Sequence, residues 1–137
     1  MLRTILITGA SSGIGAATAI AFAKPNNRLI LVSRKNREGL KKIEDEGRER
    51  GAEVLSILAD VSDYEACKLL VQQAVERFGT IDLLVNDAGV SHIGLFQDMT
   101  PDEWQRVMNV NIGSVMNLCH LVIPSMVHRH HGRIINI

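Results

Sequence analysis

The sequence shows no excess of charge of either sign, because its 15 Lys and Arg residues balance 15 Asp and Glu residues. Without a net positive field, the chain has no general attraction for nucleic acid or for an anionic membrane surface. It contains only two cysteines, Cys67 and Cys119, in apolar stretches with helical patterns. This scarcity argues against a secreted disulfide scaffold and predicts two reduced thiols in a cytoplasmic protein.

Neither a leader nor a metal site is expected from the sequence. Met1-Leu2-Arg3 leads directly into an apolar strand and leaves no room for a secretory signal, and no apolar run is expected to reach membrane-spanning length. His128-Arg129-His130-His131 has the look of a metal cluster. Basic residues are also favoured in the last turn of a helix, and Gly132 can provide the cap. We therefore expect neither a membrane segment nor a bound metal.

Short apolar runs alternate with helical patterns along the whole chain. At 137 residues the chain fits a single domain, which would bury roughly 68% of the surface of its unfolded form. Because strand and helix alternate, the chain predicts a parallel sheet with helices on both faces and a ligand crevice at the carboxyl ends of the strands. Five buried strands are predicted at 4–8, 28–33, 53–59, 81–86 and 133–137, and four helices at 13–23, 38–50, 63–78 and 101–131.

Two of the predicted helices differ sharply in polarity. The helix at 38–50 is mostly charged, with Leu40 and Ile43 as its main apolar contacts, and indicates a solvated outer helix. Its mixed signs leave a nucleic-acid patch as the alternative. The helix at 101–131 is apolar on more than one face, which indicates a core face and a subunit face in a homo-oligomer. Deep burial of both faces within one chain is the other interpretation.

A glycine-rich turn joins the first strand to the first helix. Gly9, Gly13 and Gly15 follow the apolar strand and precede an alanine-rich helix. Glycines let the backbone approach a pyrophosphate, while the free N–H groups at the helix start face the anion. The spacing departs from G-x-G-x-x-G, and glycines also serve ordinary turns and close packing. Its position between strand and helix favours dinucleotide binding.

The end of the second strand carries Ser33-Arg34, followed by Lys35. An NAD-selective site would carry Asp or Glu there, whereas an arginine suits the 2′-phosphate of NADP(H). An ordinary surface arginine is the alternative. We therefore favour NADP(H) over NAD.

These motifs together resemble the short-chain dehydrogenase/reductase family. Thr8-Gly9-Ala10-Ser11-Ser12-Gly13-Ile14-Gly15 is similar to its cofactor motif, and Asn86-Asp87-Ala88-Gly89 resembles its Asn-Asn-Ala-Gly turn. Asp60-Val61 resembles its adenine-contacting pair, and Asn111 matches its catalytic asparagine, which sits in a helix kink and holds a water of the proton relay. The resemblance covers all 137 residues, up to the strand at 133–137 that leads to the catalytic serine.

The resemblance implies a Rossmann-type α/β fold, a doubly wound parallel sheet with strand order 3-2-1-4-5 in the portion present. It also implies hydride transfer between NADP(H), or NAD, and a small-molecule carbonyl or alcohol substrate. Asn111 is the catalytic residue that it assigns in this chain. Together with Arg34, the expected cofactor-binding residues are Gly9, Ser11, Ser12, Gly13, Ile14, Gly15, Asp60, Val61, Asn86, Ala88 and Gly89.

Two positions depart from the family's pattern. Asp87 replaces the second asparagine, which exchanges an amide that donates and accepts for a carboxylate that only accepts. Ser12 stands where many NADP-dependent members carry a basic residue, which leaves Arg34 as the chief candidate for reading the phosphate.

The serine, tyrosine and lysine that complete the family's catalytic machinery come after the fifth strand and are not in this sequence. Tyr64-Glu65-Ala66-Cys67-Lys68 has the Tyr-x-x-x-Lys spacing. It precedes the Asn86 turn and Asn111, so we interpret it as the partly exposed first turn of an outer helix near the adenine. The NAD(P)-binding domain at 1–137 is expected to be C-terminally truncated and inactive by itself.

Among subgroups of the family, the pattern is similar to 3-oxoacyl carrier-protein reductases. The loop from Ser91 to Thr100 resembles that of bacterial reductases acting on 5-aminopentanone attached to elongation factor P. The competing hypothesis is a non-catalytic dinucleotide-binding or dimerisation module. Truncation is favoured over that module, because an apolar edge strand at 133–137 is an aggregation liability unless another segment covers it.

Overall fold

The computed structural model describes residues 2–137, whose strands form one open parallel sheet. The strands lie side by side in the order β3-β2-β1-β4-β5, as predicted. Their bounds are β1 (Arg3–Thr8), β2 (Asn27–Ser33), β3 (Glu53–Leu58), β4 (Leu83–Asn86) and β5 (Arg133–Asn136). Because β1 pairs with β2 on one side and with β4 on the other, the strand order reverses between β1 and β4.

The sheet is covered on both faces, and β1 illustrates how its sequence produces two cores. Ile5 and Ile7 point to one face and Leu6 to the other, since side chains alternate along a strand. All three are fully buried, which explains why this strand is continuously apolar. The helices are α1 (Gly13–Phe22), α2 (Arg37–Glu49), α3 (Tyr64–Phe78), α4 (Pro101–Met108) and α5 (Ser114–His128). All of them except α4 contribute side chains to the two cores.

α2 is a solvated outer helix, as predicted. Leu40 and Ile43 are buried against the sheet, and the charged side chains pair with one another along the exposed face. Arg48 contacts Glu44 at 2.7 Å, one helical turn away. The mixed charges are thus used within the helix, which leaves no uniform basic surface for nucleic acid.

The last helical stretch is one long helix, as predicted, although it ends at His128 and not at His131. α4, a π-helical turn at Asn109–Gly113 and α5 form one continuous helix of 28 residues, Pro101–His128. By length and composition this helix could cross a membrane, although core helices of soluble proteins can have the same properties. The expectation that no apolar run reaches membrane-spanning length is wrong for this helix, because apolar residues on more than one of its faces make it apolar on average although polar residues interrupt them.

The continuous helix has one buried and one exposed apolar face. Deep burial of both faces within the described chain is therefore wrong. The buried side chains of α5 are Ser114, Leu118, Val122 and Met126. The exposed apolar side chains recur at spacings of four and seven residues and are Trp104, Met108, Ile112, Met116, Ile123 and Val127.

β5 is the least buried strand. It pairs only with β4 within residues 2–137, and three of its four residues are exposed. The prediction of five buried strands is thus wrong for β5, because a strand at the edge has a neighbour on one side only.

The histidine-rich segment closes α5 in a way that the sequence did not indicate. His130 adopts a left-handed φ of 52°; its N–H donates to the Val127 carbonyl at 3.0 Å, and the His131 N–H donates to the Met126 carbonyl at 3.1 Å. This is the Schellman pattern, with His130 in the position expected of Gly132. Gly132 serves close packing instead, because a Cβ there would lie 2.4 Å from Met126 Cγ. No metal-binding group of three or more His, Cys, Asp or Glu residues is found within 2–137.

Candidate functional site

A cleft of about 280 Å³ opens at the carboxyl ends of the central strands. It lies where the strand order reverses, which is the position at which doubly wound sheets bind ligands. Of the residues predicted to bind a cofactor, those that line it are Gly9, Ser11, Ser12, Arg34, Asp60, Val61, Ala88 and Gly89. The other lining residues, which the sequence did not single out as a site, are Thr8, Val32, Ser33, Lys35, Asn36, Ala59, Val90 and Val110.

The glycine-rich turn needs glycine for two separate reasons. Gly9 and Gly13 have φ values of 65° and 56°, which side chains disfavour. At Gly15 the constraint is space, because a Cβ would lie 2.3 Å from the Gly9 carbonyl oxygen. A Cβ on Gly13 would meet nothing within 4 Å. Gly9 and Gly15 thus pack the turn against itself, while Gly13 borders open space.

The start of α1 has free backbone donors. Ser12 is the N-cap residue, yet its side chain makes no capping hydrogen bond, and no acidic residue lies in the first turn. Ile14 in that turn is 59% exposed. The first N–H groups of a helix have no partner within the helix, and its dipole places partial positive charge there. This end of α1 therefore fits the pyrophosphate of a dinucleotide.

Thr8 holds the turn after β4 in place. Its Oγ1 accepts the N–H of Asp87 at 3.0 Å and the N–H of Ala88 at 2.9 Å. The carboxylate of Asp87 in turn lies against the glycine-rich turn, since a Cβ on Gly15 would stand 2.7 Å from its Oδ2, and burial raises the pKa of that carboxyl. The sequence analysis included Thr8 in the motif but assigned it no role. Its position, as a threonine at the end of an apolar strand, is the feature that could have indicated this role.

The outer end of the cleft combines positive charge with an ionised carboxylate. Arg34 and Lys35 are exposed after β2, and Ser33 Oγ lies 3.1 Å from Ser11 Oγ, which ties β2 to the glycine-rich turn. Asp60 accepts from the Ser62 hydroxyl at 2.6 Å. That hydrogen bond is the main cause that lowers the pKa of Asp60, and the charges of Arg34 and Lys35 lower it further.

Asn86 lies behind the cleft and not in its wall. It is 4% exposed, and its Nδ2 donates to Asn136 Oδ1 at 2.9 Å, joining β4 to β5. The Asn86 Oδ1 is buried without a hydrogen-bond partner. Such an unpartnered polar atom is costly unless a further group reaches it.

Asn111 is in the π-helical turn, where a distortion of the helix was expected. Its Oδ1 accepts the Val90 N–H and its Nδ2 donates to the Val90 carbonyl, next to the cleft. Tyr64 lies elsewhere, in the first turn of α3 and 39% exposed as predicted, with its ring 5.9 Å from that of His120. The structure therefore does not bring Tyr64 into the cleft wall.

Comparison with known proteins identifies the family. Residues 3–137 match the short chain dehydrogenase family. The chain belongs to this family. It is 36% identical over 137 residues to the 3-oxoacyl-[acyl-carrier-protein] reductase FabG of Thermotoga maritima, in an alignment that covers 98% of this chain and 54% of that protein. The chain thus spans about half the length of the curated relatives it matches.

Solved structures of family members share the fold. The L-sorbose reductase of Gluconobacter frateurii, complexed with NADPH and L-sorbose, matches with a TM-score of 0.91 and 31% identity over 98% of this chain and 51% of that one. NAD+-bound xylitol dehydrogenase matches with a TM-score of 0.88 and 36% identity over 98% and 52%. The fold is therefore the Rossmann-type sheet of an NAD(P)-binding oxidoreductase family, with NADPH bound in one neighbour and NAD+ in the other.

Proposed function

We propose that the cleft binds NADP(H) and that the protein takes part in hydride transfer between this cofactor and a carbonyl or alcohol substrate. The observation that carries the cofactor choice is the exposed Arg34 at the end of β2, beside Lys35 and in the wall of the cleft. A guanidinium matches a phosphate with two parallel hydrogen bonds. A carboxylate at that place would instead select the free ribose hydroxyls of NAD.

Different parts of the cleft wall suit different parts of the dinucleotide. The glycine-rich turn, with Gly9, Ser11, Ser12, Gly13, Ile14 and Gly15, would hold the pyrophosphate and the nearby ribose. Asp60 and Val61 would contact the adenine. Asn86, Ala88 and Gly89 would flank the nicotinamide ribose, and the unpartnered Asn86 Oδ1 offers an acceptor on that side.

Asn111 would contribute to proton transfer through its backbone. Both polar atoms of its side chain are used on Val90, so a water of the proton relay would bind a carbonyl group of the π-helical turn. π-helical turns inside longer helices recur at functional sites. The bound cofactor supplies or accepts the hydride.

For the substrate we propose a ketone such as a 3-oxoacyl thioester or an aminoketone. The loop at 91–100 follows Val90 of the cleft wall and presents exposed apolar side chains, with Ile93 97% exposed, Leu95 63% and Phe96 77%. Such an exposed group of large apolar side chains is typical of a binding surface.

Residues 1–137 alone are proposed to bind the cofactor without turning over substrate. Tyr64 is the single tyrosine of the sequence, and its ring packs near that of His120, outside the residues that line the cleft. The intact mass of the protein from its source cell tests this point. A mass matching the 137 residues, with bound cofactor and no turnover, would favour the non-catalytic module instead.

We also propose that the protein is cytoplasmic and self-associates through the exposed apolar stripe of the long helix. That stripe runs from Trp104 to Val127 on the side away from the sheet. A second copy of the same helix would bury it around a twofold axis.

The cofactor proposal is tested by titrating the protein with NADPH and with NADH under the same conditions and following the nicotinamide fluorescence. We expect binding of both, with NADPH tighter by about tenfold, since a charge-assisted hydrogen bond contributes about 1.5–3 kcal/mol. Equal affinities would remove Arg34 as the selecting residue, and no binding of either would overturn the proposal.

A further inference from the structure

α1 takes its negative partner from a distant part of the chain. Its own N-terminal turn holds no acidic residue, and Ser12 does not cap it. A carboxylate that lies beside this turn is that of Asp87, which follows β4. Carboxylates in such a position interact favourably with the helix dipole.

The Asp87 carboxylate is packed directly against the glycine-rich turn. A Cβ on Gly15 would lie 2.7 Å from Asp87 Oδ2, and a Cβ on Gly9 would lie 3.0 Å from the same atom. The Asp87 N–H is fixed by Thr8 Oγ1 at 3.0 Å. The side chain therefore has little freedom to leave the turn.

We propose that Asp87 is a positioning residue with two opposing effects: it holds the glycine-rich turn by packing its carboxylate against Gly9 and Gly15, and its ionised form weakens dinucleotide binding. The reason is that the pyrophosphate and the carboxylate are both anions that the same end of α1 attracts. This inference rests on the proposed binding of a dinucleotide in the cleft. It adds that the charge of Asp87, and not only its shape, tunes the affinity.

Few other titratable groups near Asp87 could give dinucleotide binding a similar pH dependence. The helix α1 has no titratable side chain, and the adjoining elements contribute Thr8 and Asn111, which do not titrate. The Cys119 thiol on α5 lies near the adjoining Asn86, 3.8 Å from its Nδ2. At the outer end of the cleft the charged groups are Arg34, Lys35 and Asp60.

The direction of the pH effect follows from linkage. Burial raises the pKa of Asp87 above its ordinary 3.8, and the Gly15 N–H only partly offsets this. A second anion nearby raises it further, so binding of the dinucleotide favours uptake of a proton. Affinity is therefore expected to increase as the pH falls through the pKa of Asp87.

The test is calorimetric titration with NAD+, which lacks the titrating 2′-phosphate, at several values between about pH 4 and pH 8. The variants are Asp87→Asn, which keeps the size of the side chain against Gly9 and Gly15 without the charge, and Asp87→Ala, which removes both. Asp82→Asn is the matched control. Its carboxylate precedes β4 at the opposite end of the sheet, where it accepts the Thr4 N–H at 2.9 Å.

We expect Asp87→Asn to bind NAD+ about fivefold more tightly near pH 8, an effect of the size of one charge at a helix end. Its affinity should also lose the part of the pH dependence that the wild type shows. Asp87→Ala should bind more weakly than Asp87→Asn, while Asp82→Asn should follow the wild-type profile.

Two failures can be told apart. If the wild type binds NAD+ but Asp87→Asn has the same affinity and the same pH profile, the role of the Asp87 charge is wrong and the cofactor site stands. If neither protein binds NAD+ or NADPH at any pH, the proposed function itself is wrong, and this inference falls with it.

Discussion

Asn111 and Val90 are joined by two hydrogen bonds of opposite direction. The Val90 N–H donates to Asn111 Oδ1 at 2.8 Å, and Asn111 Nδ2 donates to the Val90 carbonyl at 2.9 Å. The side chain thus makes the same pair of backbone hydrogen bonds that a neighbouring strand would make to the loop after β4. This loop borders the cleft, so its position depends on the π-helical turn in which Asn111 lies.

Replacing Asn111 by alanine should loosen this loop. Two backbone groups of Val90 lose their partners, so we expect the free energy of unfolding to fall by about 2 kcal/mol. NADPH binding should weaken several-fold. Urea unfolding and fluorescence titration measure the two effects. Asn109→Ala, an exposed change in the same turn, should alter stability by less than about 0.5 kcal/mol; equal effects of the two variants would contradict the role of the pair.

Replacing Thr8 by valine should uncouple the two turns of the cleft. The hydroxyl that accepts from Asp87 and Ala88 is lost at constant shape, and two backbone N–H groups are left without an acceptor. We expect a loss of roughly 2–3 kcal/mol in the free energy of unfolding. Thr8→Ser keeps the hydroxyl and is expected to retain most of the stability. A valine variant as stable as the serine variant would argue against these hydrogen bonds.

Removing the guanidinium of Arg34 should change cofactor preference. Arg34→Ser is expected to weaken NADPH binding about tenfold, because one charge-assisted interaction with the 2′-phosphate is lost. NADH binding should stay the same. Arg37→Ser is the control, since Arg37 is exposed near Arg34 in sequence but does not line the cleft. A parallel loss for NADPH and NADH would assign Arg34 a structural role.

The stability of the protein should carry a pH signature of Asp87. The pKa of Asp87 is raised in the folded protein. Its contribution to the free energy of unfolding is therefore fully present below the pKa that it has in the unfolded chain, and is lost as the pH rises through its pKa in the folded state. Asp87→Asn should therefore be more stable than the wild type at neutral pH, with a difference that shrinks on acidification. Urea unfolding at a series of pH values measures this. If the stability difference between Asp87→Asn and the wild type grew on acidification, this prediction would be contradicted.

Breaking the exposed apolar stripe should disrupt self-association. Met116, which is 67% exposed, lies at the centre of the stripe, and a glutamate there places charge in the proposed contact. We expect Met116→Glu to shift the protein to a smaller species in light scattering without unfolding it. Leu69→Glu on α3 is the matched control, because Leu69 is 59% exposed and lies outside the stripe. A wild-type protein that is monomeric would exclude the stripe as a self-association surface at the concentration used.

The alternation of strands and helices could be predicted from the sequence, because it rests on local patterns. Apolar runs such as the one in β1 and the turn around Gly13 each lie within a few residues. The family motifs then supplied the strand order β3-β2-β1-β4-β5. The burial of β5 was predicted wrongly, since exposure depends on which strands lie beside it and not on its own residues.

The sequence by itself determined the elements of this protein and the position of its glycine-rich turn. Only the tertiary structure decided which distant residues complete that turn. Thr8 and Asp87 are 79 positions apart, and neither a propensity nor a spacing links them. Hydrogen bonds act over about 3 Å in space, whatever the separation along the chain, so the charge beside the turn became visible only once β1 and β4 were paired.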